Sequence, residues 1–452
     1  MLLSSAPYFI FLIAAFFAFW VAARSRLAGL AVILFANYFF YAKWDLAYLA
    51  LIPLASTVDF LIGRDLESSR REPFRRLLVS LSIAMNIGLI AALKYVPSAS
   101  FLPLGVSFYA FQSLTYTIDI YRRDASAVSS YLVYLCSASF FPTTLAGPIT
   151  RLSSLTSQMA KSPALDSREG GAALFRIGLG LIKKLLIADY LAQHLIDRVF
   201  DTPKLYSGGE VLIAVYGYAF QLYYDFSGYT DIAIGSAQLL GIKLPPNFNR
   251  PYIAENIADF WRRWHITLSN WLRDYLYFSL PGLRSRWKIF TYANLVLTMT
   301  LGGLWHGPTA GFVIWGLIHG LGLAGVRAIQ VWRNNRQPRR EPVFRLLRIL
   351  VTFHFVCFGW IFFRAQNVAA AGDILGRIGS FTWSFSNVTP SFLFILAVAV
   401  LAHYVPESWY KVSLNFYIRT PYYVQAAFLA ILAVAIHYVA ATGAAPFIYT
   451  RF

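Results

Sequence analysis

Charge is scarce in this chain. Of its 452 residues only 13% are Asp, Glu, Lys or Arg, against roughly 25% in an ordinary soluble domain. With 58% hydrophobic residues and a mean hydropathy of +0.55, a water-soluble globule is excluded and an integral membrane protein is implied. Acidic residues are the scarcer sign, 21 against 39 Lys and Arg, for a net charge of +18. The basic residues are scattered among apolar runs, not gathered on one face. The excess therefore reads as the cytoplasmic bias of Lys and Arg, and no nucleic-acid partner is implied. Cysteine is nearly absent. Cys136 and Cys357 both lie in apolar runs, so they read as small core residues and support neither a disulfide framework nor a metal centre. No G-x-S-x-G elbow, Walker loop or H-E-x-x-H occurs, which disfavours a serine hydrolase, an ATP-driven pump and a zinc protease. Residues 1–23 lack a charged n-region and a small-residue cleavage site, and read as a first spanning helix.

What is present is apolar runs and aromatics. The aromatic share is 17%, which suits an interfacial belt and the lining of a passage. Runs long enough to span, or to enter and leave by one face, fall at 2–23, 27–42, 46–63, 77–95, 102–121, 130–148, 173–192, 210–227, 289–305, 309–327, 346–363, 390–405 and 423–441. They predict about eleven to thirteen membrane segments in an all-α polytopic protein. Three basic clusters set the orientation: Arg64 to Arg76, Arg284 with Arg286 and Lys288, and Arg333 to Arg348. All three are predicted cytoplasmic, which places the N-terminus outside and Arg24, Arg26, Arg122 and Arg123 inside. Lys183 and Lys184 are predicted to snorkel from the run 173–192 to an interface. The segment 243–288 is too polar to span. Trp261, Trp264, Leu268, Trp271 and Leu272 recur there at helical spacing with Arg262, Arg263 and Arg273 between them, as in helices lying in the interface or plugging a cavity. No internal repeat or linker is visible, so residues 1–452 read as one membrane domain.

Two tryptophan-flanked histidines stand out. His265 closes Asp259-Phe260-Trp261-Arg262-Arg263-Trp264-His265, and His306 sits in Gly302-Gly303-Leu304-Trp305-His306-Gly307-Pro308. An imidazole is expensive to keep in an apolar region, and an intramembrane titratable group is a functional candidate by default. If the helix breaks at Gly302-Gly303, His306 lies on an irregular turn facing a cavity, where it could take a proton from an alcohol and return it to a leaving thiolate. The plainer reading is a hydrogen-bonded histidine at a helix end. His265 is read as a group that holds substrate or orients His306, or more plainly as an interfacial residue beside snorkelling arginines. His319 is either packing or support. A Trp305 or Trp264 indole N–H could support a developing oxyanion. Asp225 and Asp231, in Tyr223-Tyr224-Asp225-Phe226-Ser227-Gly228-Tyr229-Thr230-Asp231, either pair with a base such as Arg250 or Arg273 or form the proton relay of a transporter. His194, His354, His403 and His437 lack a supporting motif and read as structural.

Seven runs occur in a fixed order. They are Pro103-Leu104-Gly105-Val106-Ser107-Phe108-Tyr109 with Phe111-Gln112; Ala146-Gly147-Pro148-Ile149; Asp225 to Tyr229; Asn247-Phe248-Asn249-Arg250-Pro251-Tyr252; Asp259 to His265; Leu304-Trp305-His306-Gly307; and Phe358-Gly359-Trp360-Ile361-Phe362-Phe363-Arg364. In that order the chain resembles the membrane-bound O-acyltransferase family, over nearly its whole length and with a core at 103–364. It is most similar to the bacterial branch of alginate O-acetyltransferases and the membrane protein of teichoic-acid D-alanylation. The resemblance implies a ring of about eleven helices around a central tunnel, with short re-entrant or interfacial helices. It implies His306 as the catalytic histidine and His265 as the second polar position; Asp225, Asn249 and Arg273 are further supporting candidates. It implies no bound cofactor or metal. Acetyl-CoA would be the co-substrate and an extracytoplasmic polysaccharide the acceptor. A periplasmic acetyltransferase of the SGNH-hydrolase-like kind would be a partner in the bacterial inner membrane. The alternatives are D-alanyl transfer from an acyl-carrier protein and, from a different class, a proton-coupled transporter. Hydropathy puts His306 at the outer end of its span.

Overall fold

The computed structural model describes residues 1–95, 105–144, 147–282, 289–334 and 341–440, with side chains to 436. Pro103, Leu104, Ala146, the cluster Arg284, Arg286 and Lys288, the loop residues Arg336, Arg339 and Arg340, and the His437 side chain lie outside the described residues. Every regular element among those described is helical. Helices satisfy their own backbone groups, which a chain this apolar requires where no water is at hand. Glu72–Tyr95, Ala310–Trp332 and Pro342–Arg364 are each long and apolar enough to cross a membrane. Pro390–Tyr404 and Glu407–Arg419 make a fourth if taken as one span bent by 96°. Pro406 sits at the bend and cannot continue the first helix. Ala6–Ala22, Arg26–Ala42 and Tyr422–Ile436 are shorter apolar helices. The chain is an all-α, multi-pass membrane protein.

Several predicted spans take another form. Residues 130–148 do not make one helix: they give Tyr131–Ala138 and Phe141–Thr144, because Pro142 has no N–H to offer the carbonyl four residues back. Asn37 satisfies the backbone freed there, donating to Cys136 O at 3.2 Å and accepting from Phe141 N at 3.0 Å. Residues 173–192 lie in Ser167–Leu181 followed by π-helical turns at Ile182–Ala188 and Ala192–Ile196. Residues 210–227 belong to a longer helix, Gly208–Leu239.

The fold divides into two compact units. One comprises Met1–Leu181, Tyr229–Pro246 and Tyr417–Gln425; the other Ile182–Gly228, Asn247–Phe416 and Ala426–Phe452. The core of the first is aromatic, built on Tyr41, Tyr48, Phe60, Tyr109, Tyr116 and Tyr134. Arg75, expected in a cytoplasmic loop, is instead 1% exposed. Its guanidinium donates to the carbonyls of Leu66, Ile120 and Tyr121. It thereby supplies the donors that the C-terminal turns of Tyr48–Ser68 and Val106–Arg122 lack. Both cysteines are buried, as expected.

In the second unit Ile289–His306 and Ala310–Trp332 form a tight antiparallel pair. Contrary to expectation, the helix does not break at Gly302-Gly303 and runs unbroken to His306. Its glycines serve close approach: a Cβ on Gly303 would lie 2.2 Å from Phe312 O, and one on Gly316 would lie 2.5 Å from Met299 O. Small residues let membrane helices meet backbone to backbone. Gly316→Val should therefore force the pair apart at a cost of about 1–3 kcal/mol or more. A lowered melting temperature of the detergent-solubilised protein is the expected reading.

Candidate active site

The second unit builds the site from an irregular segment. Asn249 N donates to Arg263 O and Ile266 N to Asn247 O, each at 2.9 Å. This pairs 247–249 with 263–266 and brings the Asn247 side chain against residues 265–267. The turn into helix Ile266–Trp271 is made by His265 itself, with φ 39° and ψ 54°. Arg250 is also left-handed, with φ 43°. This conformation costs a non-glycine residue roughly 1–2 kcal/mol. It persists only where surroundings enforce it, commonly at functional sites.

His265 is 1% exposed. Its Nδ1 lies 3.1 Å from Asn247 Oδ1, which also accepts from Thr267 N at 3.2 Å and Thr267 Oγ1 at 3.0 Å. A backbone N–H can only donate, so the Asn247 atom is an oxygen and Nδ1 must carry the proton. The Nε2 lone pair is then the basic end of the ring. Burial pushes this imidazole down to about 3, so it is held neutral. The ring stands edge-on to Phe226, 4.7 Å between centroids at 89°.

His306 is the last residue of its helix and 3% exposed. Aromatic rings surround it: Trp305 at 4.8 Å, Phe363 at 5.0 Å, Trp315 at 5.2 Å and Phe312 at 5.9 Å between centroids. The Trp305 ring is also 6.5 Å from His265. One indole thus neighbours both imidazoles.

His319 is fully buried. Its Nδ1 accepts from Trp261 Nε1 at 3.3 Å, and its ring lies 4.9 Å from Trp315. The Trp315 indole stands between it and His306. Trp264 stacks on Phe260 at 5.6 Å and packs on Trp360 at 5.0 Å, as part of the wall.

Three sequence candidates lie elsewhere. Asn249 is exposed and joins the segment by its backbone; the neighbour two residues back carries the contact to His265. Arg273 is mostly exposed and pairs with Asp274 at 2.7 Å. Asp225 pairs with neither Arg250 nor Arg273: Lys184 Nζ lies 2.6 Å from it and 2.7 Å from Asp189. Lys184 is 1% exposed, so it does not snorkel. Lys183 donates to Ser227 Oγ at 3.0 Å. Asp231 pairs with Arg176 at 3.0 Å. Both carboxylates are thus paired with a base, as the plainer reading has it, but with other bases than the two named.

The sequence does not single out Asn247, whereas His403, read there as structural, has a structural role. His403 Nε2 accepts from Tyr252 N at 3.1 Å and so pins the turn that follows Arg250. Both lie in or against the Asn247-to-Tyr252 run. Irregular backbone gives no periodicity to say which of its polar side chains turn inward.

The second unit thus holds two buried imidazoles on a helical scaffold, that of His265 with its tautomer fixed. The profile of the membrane-bound O-acyltransferase family matches residues 121–371, and the chain belongs to that family. It is an O-acyltransferase. Among its relatives is the probable alginate O-acetylase AlgI of Pseudomonas fluorescens, 39% identical over 378 residues, 82% of this chain and 74% of that one. The peptidoglycan O-acetyltransferase of Helicobacter pylori is 35% identical over 387 residues, 76% of this chain and 72% of that one. The teichoic acid D-alanyltransferase of Bacillus subtilis is 31% identical over 279 residues, 58% of this chain and 69% of that one.

Proposed function

We propose that the protein moves an acetyl group from a cytoplasmic thioester donor, acetyl-CoA, to hydroxyls of an extracytoplasmic polysaccharide such as alginate. The transfer is made directly or through a periplasmic partner acetyltransferase. The observation that carries this reading is the pair His265 and His306, set around one indole with the His265 tautomer fixed by Asn247. Acyl transfer needs a base for the attacking hydroxyl and an acid for the leaving thiolate. In the proposal His306 is that base. The acceptor oxygen attacks the thioester carbon, a C–O bond forms, and the hydroxyl proton goes to His306. The C–S bond then breaks and the proton passes to the thiolate. His265 Nε2 accepts a hydrogen bond from the acceptor and orients it, and Trp305 N–H supports the oxyanion. The ring of about eleven helices with its tunnel, the inner-membrane location and the extracytoplasmic N-terminus belong to the same proposal.

The acetyl reading is favoured over D-alanyl transfer by the relatives, since those named for O-acetylation are more similar and cover more of this chain. Proteoliposomes loaded with radiolabelled acetyl-CoA and given external alginate test it. Label on the polymer supports the proposal, and label only with D-alanyl carrier protein as donor refutes it. In the same assay Asn247→Leu should lower turnover about tenfold to a hundredfold, because it removes the bond that fixes the tautomer. It also strands the buried Thr267 N–H, at a cost of about 1–3 kcal/mol, visible as an earlier thermal transition.

A further inference from the structure

We propose that the groove between Ala310–Trp332 and Pro342–Arg364 binds an anionic phospholipid of the surrounding membrane. The groove holds about 620 Å³, and Ile257, Val326, Ile329, Leu347, Val351 and Phe355 form its apolar walls. Both flanking helices are of membrane-crossing length. Its basic groups gather at one end. Arg333 follows the last turn of the first helix and Arg348 lies in the second turn of the second; Arg345, one turn before it, is outside the lining. Glu255 accepts from Arg348 at 2.8 Å and from Arg345 at 3.1 Å. Among the lining residues the two guanidiniums of Arg333 and Arg348 face the one carboxylate of Glu255, a positive surplus.

An apolar trough with cations at one end complements a lipid whose phosphate is charged and whose tails are not. Basic pockets between membrane helices hold anionic head groups in this way. From Arg348 to Phe355 the helix rises about 10 Å, room for the upper part of an acyl chain. The floor is open at Gly325, where an added Cβ would meet nothing within 4 Å. Asn256 and Ile257 also line the groove. They are the N-cap and first residue of the helix Ile257–Trp261 that leads into His265, so an occupant bears on the segment carrying that histidine.

The test titrates the purified full chain in detergent with cardiolipin, phosphatidylglycerol and phosphatidylethanolamine, read by native mass spectrometry. Anionic lipids should be retained about tenfold more tightly than phosphatidylethanolamine. Arg333→Gln should weaken the anionic lipids alone, by about fivefold for the one charge removed. Gly325→Trp should abolish retention by filling the trough. Equal retention of all three lipids by the wild-type protein overturns the proposal, as does undiminished binding to the Gly325→Trp variant. Displacement of the lipid by free coenzyme A would assign the groove to the acyl donor and likewise overturn it.

Discussion

With His306 replaced by alanine, acyl transfer in proteoliposomes should fall by about 10²–10⁴, the usual contribution of a positioned acid or base. The ring is 3% exposed among four aromatic neighbours, so its loss also opens a cavity. His306→Gln, close to it in volume and still polar, separates the two effects. It should insert and melt like wild type while staying as inactive as the alanine variant. Transfer within a few-fold of wild type in the glutamine variant would remove His306 from the chemistry. Loss of the folded protein in the alanine variant alone would show only its packing role.

Lys184→Met should strongly destabilise the second unit. Lys184 stands within 2.7 Å of both Asp189 and Asp225. Removing one partner of a buried ion pair costs about 3–5 kcal/mol, because the charge left behind has no solvent. Here two carboxylates would lose the cation they share. We expect little folded protein by fluorescence-detected size exclusion. Adding Asp225→Asn should recover part of it, since the double change buries one carboxylate fewer. The coupling also bears on the site, because Phe226, next to Asp225, packs edge-on to His265. A double variant that folds and transfers acyl groups normally would show the ion cluster to be scaffold alone.

The membrane class, the helical content and the two marked histidines were legible from residues, because scarcity of charge and the cost of a buried imidazole are properties of composition. The detail that failed was local winding. Lys184 was assigned to an interface from its place in an apolar run, but it lies in π-helical turns, whose wider winding shifts the facing of side chains relative to an α-helix. Asn249 was singled out where Asn247 makes the contact, because Asn247 to Tyr252 has no repeating geometry from which to read direction. Gly302 and Gly303 read as a break, since a lone sequence cannot show the second helix that their missing side chains admit. Pro142, by contrast, did break its run. Asn37, which completes that break, lies on another helix and nothing local points to it.

The hydrogen bond that ties His265 Nδ1 to Asn247 also limits what the ring can do with a proton. A ring can hand protons across a barrier only if they arrive at one nitrogen and depart from the other. Here one nitrogen is permanently engaged with an oxygen that has nothing to give back, so His265 is a dead end for hydronium traffic. The ring can therefore hold a hydroxyl at Nε2 without relaying its proton onward through Nδ1.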